Sequence, residues 1–343
     1  MPHRLISAIV VCLGLLTLVA LSLQRYLQAP LDLPSDGLIF RVEPGSSFAA
    51  VAADLGSRGV VRHPLALRVL GRLSGADQRI RHGEYRLPPG LALAGLLELL
   101  QSGDTVRYLV TLPEGIRLRD ALRLLARAEG VERTLVGEDD PRLRELLGAV
   151  PSVEGYFLPE TYQYQRGDTD IVILREAHRL SREVLYEAWQ SRQAGLPYEE
   201  PYDALIMASV IEKETGVAEE RAQIAGVFVR RLQRNMRLQT DPTVIYGLGP
   251  DFDGNLTRSH LRDESNPYNT YRHRGLPPGP IALPGREAIR AALNPAPGTA
   301  LYFVARGDGT HAFSSTLEEH EQAVRDYQLR RRADYRSTPR EAP

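Results

Sequence analysis

Residues 203–216 read DALIMASVIEKETG, and the placement of any functional site turns on whether this stretch is a helix carrying an acid on its apolar face. Pro201 precedes it, Asp203 falls near its first turn and Gly216 lies just past its end, which is the expected order of helix start and stop signals. Met207, Val210, Ile211 and Glu214 recur at steps of three, one and three, so the spacing predicts that they share one face. Glu212 then points nearly the opposite way. A carboxyl group on an apolar wall loses hydration, which disfavours the anion and raises its pKa. That property suits a general acid that protonates a leaving oxygen near neutral pH. The plainer alternative is a pair of glutamates on a solvated helix end. Lys213 stands between them and is the only lysine in the chain; its ammonium would hold Glu212 ionised while leaving Glu214 protonated.

Three further segments surround this one. RLQTDPTVIYGLG at 237–249 places Gln239, Thr240, Asp241 and Thr243 around Pro242. Residues before proline avoid the helical region, so a rigid, polar, non-helical element is expected here. Its amide and hydroxyl groups suit sugar hydroxyls and N-acetyl groups, and Tyr246 offers a ring face for a pyranose. Asp241 is equally well explained as an Asx turn that satisfies its own backbone. In NPYNTYRHRGLPPGPIALPG at 266–285, Asn269 and Tyr271 are candidates for the wall of a groove beside Glu214, and the proline-rich part reads as stiffening. EGYFLPETY at 154–162 supplies Tyr156, Phe157, Glu160 and Tyr162 as a second wall or as core aromatics and a surface acid.

The half before these segments repeats a short unit. Strand candidates at 38–42, 83–87 and 106–112 precede Pro44-Gly45, Pro89-Gly90 and Pro113-Glu114-Gly115, each followed by apolar residues at helical steps. The βααβ order expected over 39–110 is similar to LysM-type modules, a resemblance that implies recognition of N-acetylglucosamine polymers. Towards the end, ALYFVA at 300–305, Gly307-Asp308-Gly309 and a return over 311–314 predict a hairpin. An amphipathic helix over 317–327 follows, and 330–343 reads as a polar, disordered tail.

The uncharged run LISAIVVCLGLLTLVALSL at 5–23 would span about 28 Å as a helix, close to a bilayer's hydrocarbon thickness. It is expected to be a single transmembrane anchor. Residues 1–4 would be a cytoplasmic stub, 24–38 a linker, and the remainder would be exported to the periplasmic side of the inner membrane. A cleaved signal peptide is the alternative, although its apolar core is usually shorter.

Composition narrows the chemistry. Among 343 residues, Lys+Arg total 42 and Asp+Glu 43, a net charge of −1 that argues against a nucleic-acid partner. The single cysteine, Cys12, excludes a disulfide framework and cysteine-rich metal or iron–sulfur sites. The histidines lack metal-ligand spacing, and no phosphate-cradling glycine-lysine loop is present, so no metal or cofactor is expected.

Taken in order behind an apolar N-terminus, these four segments resemble the endolytic murein transglycosylases, the MltG or YceG-like family, over nearly the whole chain. The resemblance implies an α+β catalytic domain over 111–329 and a catalytic glutamate in the EKE motif, for which the face argument selects Glu214. It implies that Glu214 protonates the glycosidic oxygen between N-acetylmuramic acid and N-acetylglucosamine in nascent strands. Its carboxylate then accepts the C6 hydroxyl proton as a 1,6-anhydro end closes, so no second catalytic carboxylate is required. Glu212, Gln239, Asp241, Thr243, Tyr246, Asn269 and Tyr271 are the expected substrate-binding residues. Peptidoglycan strands, and synthases or other elongation and division proteins, are the implied partners. A non-catalytic glycan-binding scaffold, or a water-using muramidase with a second acid such as Glu160, are the alternatives.

Overall fold

The computed structural model describes residues 2–329, with the side chains of residues 2–9, 12 and 251 outside the description. It is an α+β chain of two compact units, divided between Tyr108 and Leu109.

In the first unit, helix α1 (Pro2–Gln28) leads to β1 (Leu38–Val42), α2 (Phe48–Ser57), α3 (Pro64–Ser74), β2 (Gly83–Leu87) and α4 (Leu93–Ser102). The strands alternate inward and outward residues, and β1 runs antiparallel to β2 with Phe40 opposite Tyr85, both fully buried. Helix α2 starts at Ser47, whose hydroxyl accepts from the Ala50 N–H at 3.2 Å. Phe48, Val51 and Leu55 then fall on its buried face, as their spacing requires. Leu93, Leu96, Leu97 and Leu100 do the same on α4. The buried Tyr85 ring keeps its hydroxyl satisfied by donating to the Arg81 carbonyl at 2.7 Å.

The expected membrane-spanning helix and the single-pass inner-membrane placement do not stand. No helix among the described residues is long and apolar enough to cross a membrane. The apolar side chains described on α1 run from Val10 to Leu23. Beyond them, Gln24 and Arg25 interrupt the run, and Tyr26 and Leu27 pack on the first unit's core. The stretch after α1 is also docked: the Leu31 N–H donates to the Leu91 carbonyl at 2.8 Å, and Leu31 and Leu33 lie against the same core. The expectations for Cys12 and for 330–343 fall outside the described residues, as do those for the side chains of 1–4.

In the second unit, β3 (Tyr108–Thr111) pairs with β4 (Thr161–Tyr164), with α5 (Leu118–Arg127) and α6 (Pro141–Leu147) between them. The core is helical: α7 (Asp170–Gln190), α8 (Pro201–Glu214), α9 (Ala218–Gln233) and, later, α12 (Arg286–Leu293). Between α9 and α12 come α10 (Asp241–Leu248) and the short α11 (Arg258–Arg262). Strands β5 (Tyr302–Ala305) and β6 (His311–Ser314) form an antiparallel hairpin, and α13 (Leu317–Val324) closes the described chain with one further helical turn. The hairpin turn needs Gly307 and Gly309, whose φ values of 86° and 94° an L side chain resists.

Helix α10 departs from the non-helical element expected around Pro242. The helix begins at Asp241 with Pro242 in its first turn, where a missing N–H costs no hydrogen bond. The extended residue is Thr240, at φ −117° and ψ 125°, one position earlier than the proline rule suggests.

Candidate active site

Helix α8 delivers the EKE motif. Pro201 opens it, and the Asp203 carboxylate accepts from the N–H groups of Glu199 and Glu200 at 2.8 and 3.3 Å. From Ala204 to Ile211 every residue is buried, so the helix is packed all round rather than on one stripe. It ends at Glu214, with Thr215 extended. The last turn therefore puts the carboxyls of Glu212 and Glu214 at the negative end of the helix dipole.

The two acids differ in their partners. The Glu212 side chain is 4% exposed; it accepts from the Gly285 N–H at 2.8 Å and lies 3.6 Å from the Arg221 guanidinium. Arg221 also holds Glu114, at 3.1 Å. Burial pushes Glu212 up, while the Gly285 N–H and Arg221 pull it back and Glu114 adds to the rise. Lys213 donates to the Gly115 carbonyl at 3.1 Å, and its ammonium also favours the Glu212 anion. Glu214 instead accepts the Thr240 hydroxyl and lines a cavity of about 700 Å³. Burial pushes Glu214 up to about 7; Thr240 and the nearby Arg231 oppose the rise and Asp241 adds to it.

The same cavity is lined by Gln239, Thr240, Asp241 and Tyr271. The Tyr271 hydroxyl donates to Asp241 Oδ1 at 2.7 Å. Burial, then Asp241, pushes the Tyr271 phenol upward, so it stays a donor. Two loops are zipped together behind this wall. The Gln239 N–H donates to the Thr270 carbonyl at 3.2 Å, and the Thr240 N–H to Thr270 Oγ1 at 3.1 Å. Gln239 takes φ 53°, a left-handed conformation that costs a side-chain-bearing residue about 1–2 kcal/mol.

The remaining expected residues stand behind or away from the cavity. Thr243 is fully buried, donates to the Thr240 carbonyl at 2.8 Å and shares a hydrogen bond with Thr270. Asn269, also fully buried, donates to the carbonyls of His260 and Asp263 at 3.0 and 2.7 Å and accepts from the Tyr271 N–H at 3.0 Å. Tyr246 packs against Tyr268 with ring centroids 4.8 Å apart, under the Arg117 guanidinium at 4.8 Å. Tyr156, Phe157, Glu160 and Tyr162 do not line the cavity; Glu160 sits 3.9 Å from Arg286.

Two contributors escaped the sequence reading. Thr240 appears there only as part of a polar loop, although its place before a helix-opening Asp-Pro marks it as an N-cap. Arg231, 7% exposed in the last turn of α9, gives no signal among so many arginines. It donates to the carbonyls of Leu301, Arg237 and Leu238 at 2.6, 3.1 and 2.8 Å, and its plane lies 5.0 Å over the Tyr302 ring. It thereby ties the hairpin strand β5 and the 237–239 segment to one helix. A second link joins the carboxylate of Glu220 to His311, at 2.8 Å to its N–H and 2.7 Å to Nδ1.

The YceG-like family profile matches residues 40–326, most of the chain. The chain belongs to the YceG-like family. A Bacillus subtilis protein named endolytic murein transglycosylase is 38% identical over 175 residues, 51% of this chain and 48% of that protein. A Streptococcus pneumoniae protein of the same name is 30% identical over 187 residues, 52% of this chain and 33% of that protein. The matches thus span half or less of these relatives. A crystal structure of a YceG-like protein from Listeria monocytogenes is 28% identical, covers 84% of this chain and 99% of its own, and superposes with a TM-score of 0.51.

Proposed function

We propose that this YceG-like chain is an endolytic murein transglycosylase that cleaves the bond between N-acetylmuramic acid and N-acetylglucosamine and leaves a 1,6-anhydro end. The observation that carries this reading is Glu214: a carboxyl pushed up to about 7, with one side-chain hydrogen bond, at the wall of a cavity wide enough for sugar rings. Neutral Glu214 gives its proton to the glycosidic oxygen as the C1–O bond breaks. The resulting carboxylate takes the proton of the C6 hydroxyl while O6 bonds to C1, which restores the acid. Closure within one sugar needs neither water nor a second carboxylate, because the attacking oxygen is already held near C1. The names of the B. subtilis and S. pneumoniae relatives support this class of reaction.

Gln239, Asp241 and Tyr271 meet the sugar hydroxyl and acetamido groups in this reading, and Tyr271 holds Asp241 in place. Thr243 and Asn269 act from behind by fixing the two loops, and Glu212 by fixing the Gly285 turn. The antiparallel βααβ order of the first unit supports a LysM-like glycan-binding role there. The substrate is the uncrosslinked strand that peptidoglycan synthases release.

Digestion of purified uncrosslinked glycan, followed by mass spectrometry, tests the proposal. Anhydro-ended fragments, lost in Glu214→Gln and kept in Glu212→Gln, are expected. Reducing ends would instead identify a water-using muramidase, and unchanged strands that still bind would identify a scaffold.

A further inference from the structure

A second cavity, of about 470 Å³, lies beside helix α5 and has no lining residue in common with the Glu214 cavity. Helix α5 buries Leu118, Ala121 and Leu125 on one face, which leaves Arg119, Arg123 and Arg127, at steps of four, in a row on the other. Arg133, from the loop that follows α5, lines the same cavity. Only part of this charge is neutralised within the protein. Asp120 pairs with Arg123 at 2.7 Å and stands 3.8 Å from Arg119. Among the described residues no carboxylate pairs with Arg127 or Arg133, and Arg133 donates only to the Leu135 carbonyl, at 3.4 Å. The Nε of Arg119 is buried without a hydrogen-bond partner there. Of the two acids on the wall, Asp170 has its carboxylate occupied by the Thr134 hydroxyl and by the N–H groups of Thr134 and Leu135, and Glu138 accepts from the Arg119 N–H and offsets part of the Arg119 charge.

The rim is also fixed in place. Asp170 anchors Thr134 and Leu135, while the buried Asp140 accepts from the Val136 N–H at 3.1 Å. Before Arg133, the Glu132 N–H donates to the Asp168 carbonyl at 2.8 Å, so the loop is held on both sides before any ligand arrives, which lowers the ordering cost of binding. Leu122, Ala126, Leu135 and the 80%-exposed Val136 add apolar surface to the same wall.

We infer that this pocket of the second unit binds an acidic peptide, with two or more carboxylates set around small apolar side chains. Guanidinium forks match carboxylates in pairs. The apolar side chains in the same wall favour a ligand whose charges are joined by carbon over a bare, hydrated phosphate. The inference goes beyond the reading of Glu214 and does not depend on it.

Calorimetric titration of the full chain tests it with three probes: N-acetyl-Ala-Glu-Glu, the neutral N-acetyl-Ala-Gln-Gln-amide and inorganic phosphate. Saturable binding of the acidic peptide alone is expected, falling as salt screens the charges. Arg127→Gln and Arg133→Gln, both exposed and outside the core, should each weaken it about tenfold, with circular dichroism unchanged. Glu214→Gln should bind the peptide like the parent chain, which separates this result from any loss of strand cleavage. Absence of saturation, equal binding of the amide, equal binding of phosphate, or an unaffected Arg127→Gln/Arg133→Gln double variant would each overturn the assignment.

Discussion

The Thr240 hydroxyl, at the N-cap of α10, donates to the carboxyl of Glu214, the last residue of α8, so the end of one helix and the start of another meet at a single acid. This hydrogen bond favours the anion and holds Glu214 below the value that burial alone would set. Thr240→Val keeps the shape and removes the donor. The Glu214 pKa should then rise further, by roughly one unit. Since the reacting form is the protonated one, the alkaline limb of the pH profile of kcat/KM should move upward, with a lower maximum because the later carboxylate is less well stabilised. An alkaline limb that stays in place would mean that a different group titrates.

Stability should carry the same signature. Burial pushes both Glu154 and Glu214 up to about 7, whereas an unfolded glutamate titrates near 4.3. Between those values the folded chain binds more protons than the unfolded one. The associated stability is fully present below about pH 4 and is lost as pH rises through about 7, at most about 4 kcal/mol for each acid. Glu154→Gln retains an oxygen for the Leu118 N–H, which Glu154 now accepts at 2.9 Å. Melting temperatures at pH 5 and pH 8 should differ most in the parent chain and less in Glu154→Gln and Glu214→Gln. Identical pH dependence in all three chains would count against the raised values.

Arg231 is expected to matter for position rather than for charge. Its guanidinium serves the main-chain oxygens of Leu301, just before β5, and of Arg237 and Leu238. In Arg231→Leu those buried carbonyls lose their donor, at a cost of about 3 kcal/mol in sum. Arg231→Lys should recover little, because one ammonium cannot reach three carbonyls from a fixed helix position. Hydrogen exchange should increase at 237–241 and 301–305 in both variants. Protection that remains at the parent level in Arg231→Leu would show that the backbone holds these segments unaided.

How far the chain could be read before folding depended on range. Helix α8 and the β5–β6 hairpin were legible because Pro201, Asp203, Gly216 and the Gly307-Asp308-Gly309 turn punctuate them locally. The difference between Glu212 and Glu214 was not local. With α8 buried on every side, an apolar face distinguishes nothing; Gly285, Arg221 and Thr240, all outside the helix, set the two acids apart. The start of α10 was displaced because the rule for residues before proline competed with the tolerance of a first helical turn for proline, and the second effect prevailed at Asp241. At the N-terminus, hydropathy suggested a bilayer span. No helix among the described residues is long and apolar enough for one, and beyond the apolar run the end of α1 adds Tyr26 and Leu27 to a protein core.

Gln239 offers the sharpest separation of function from fold. At φ 53° its backbone is strained for any residue with a Cβ, yet its side chain faces the cavity and accepts from Arg231 at only 3.4 Å, a weak bond. Gln239→Gly relieves the strain, worth about 1 kcal/mol, and removes the amide. The variant should therefore melt at or above the parent temperature while KM for glycan strands rises and far-ultraviolet circular dichroism is unchanged. Gln239→Ala retains the strain and loses the same amide, so it should match the glycine variant in KM and fall below it in melting temperature. Equal KM in the parent chain and both variants would remove Gln239 from the sugar-contacting wall and leave its conformation as a feature of the loop alone.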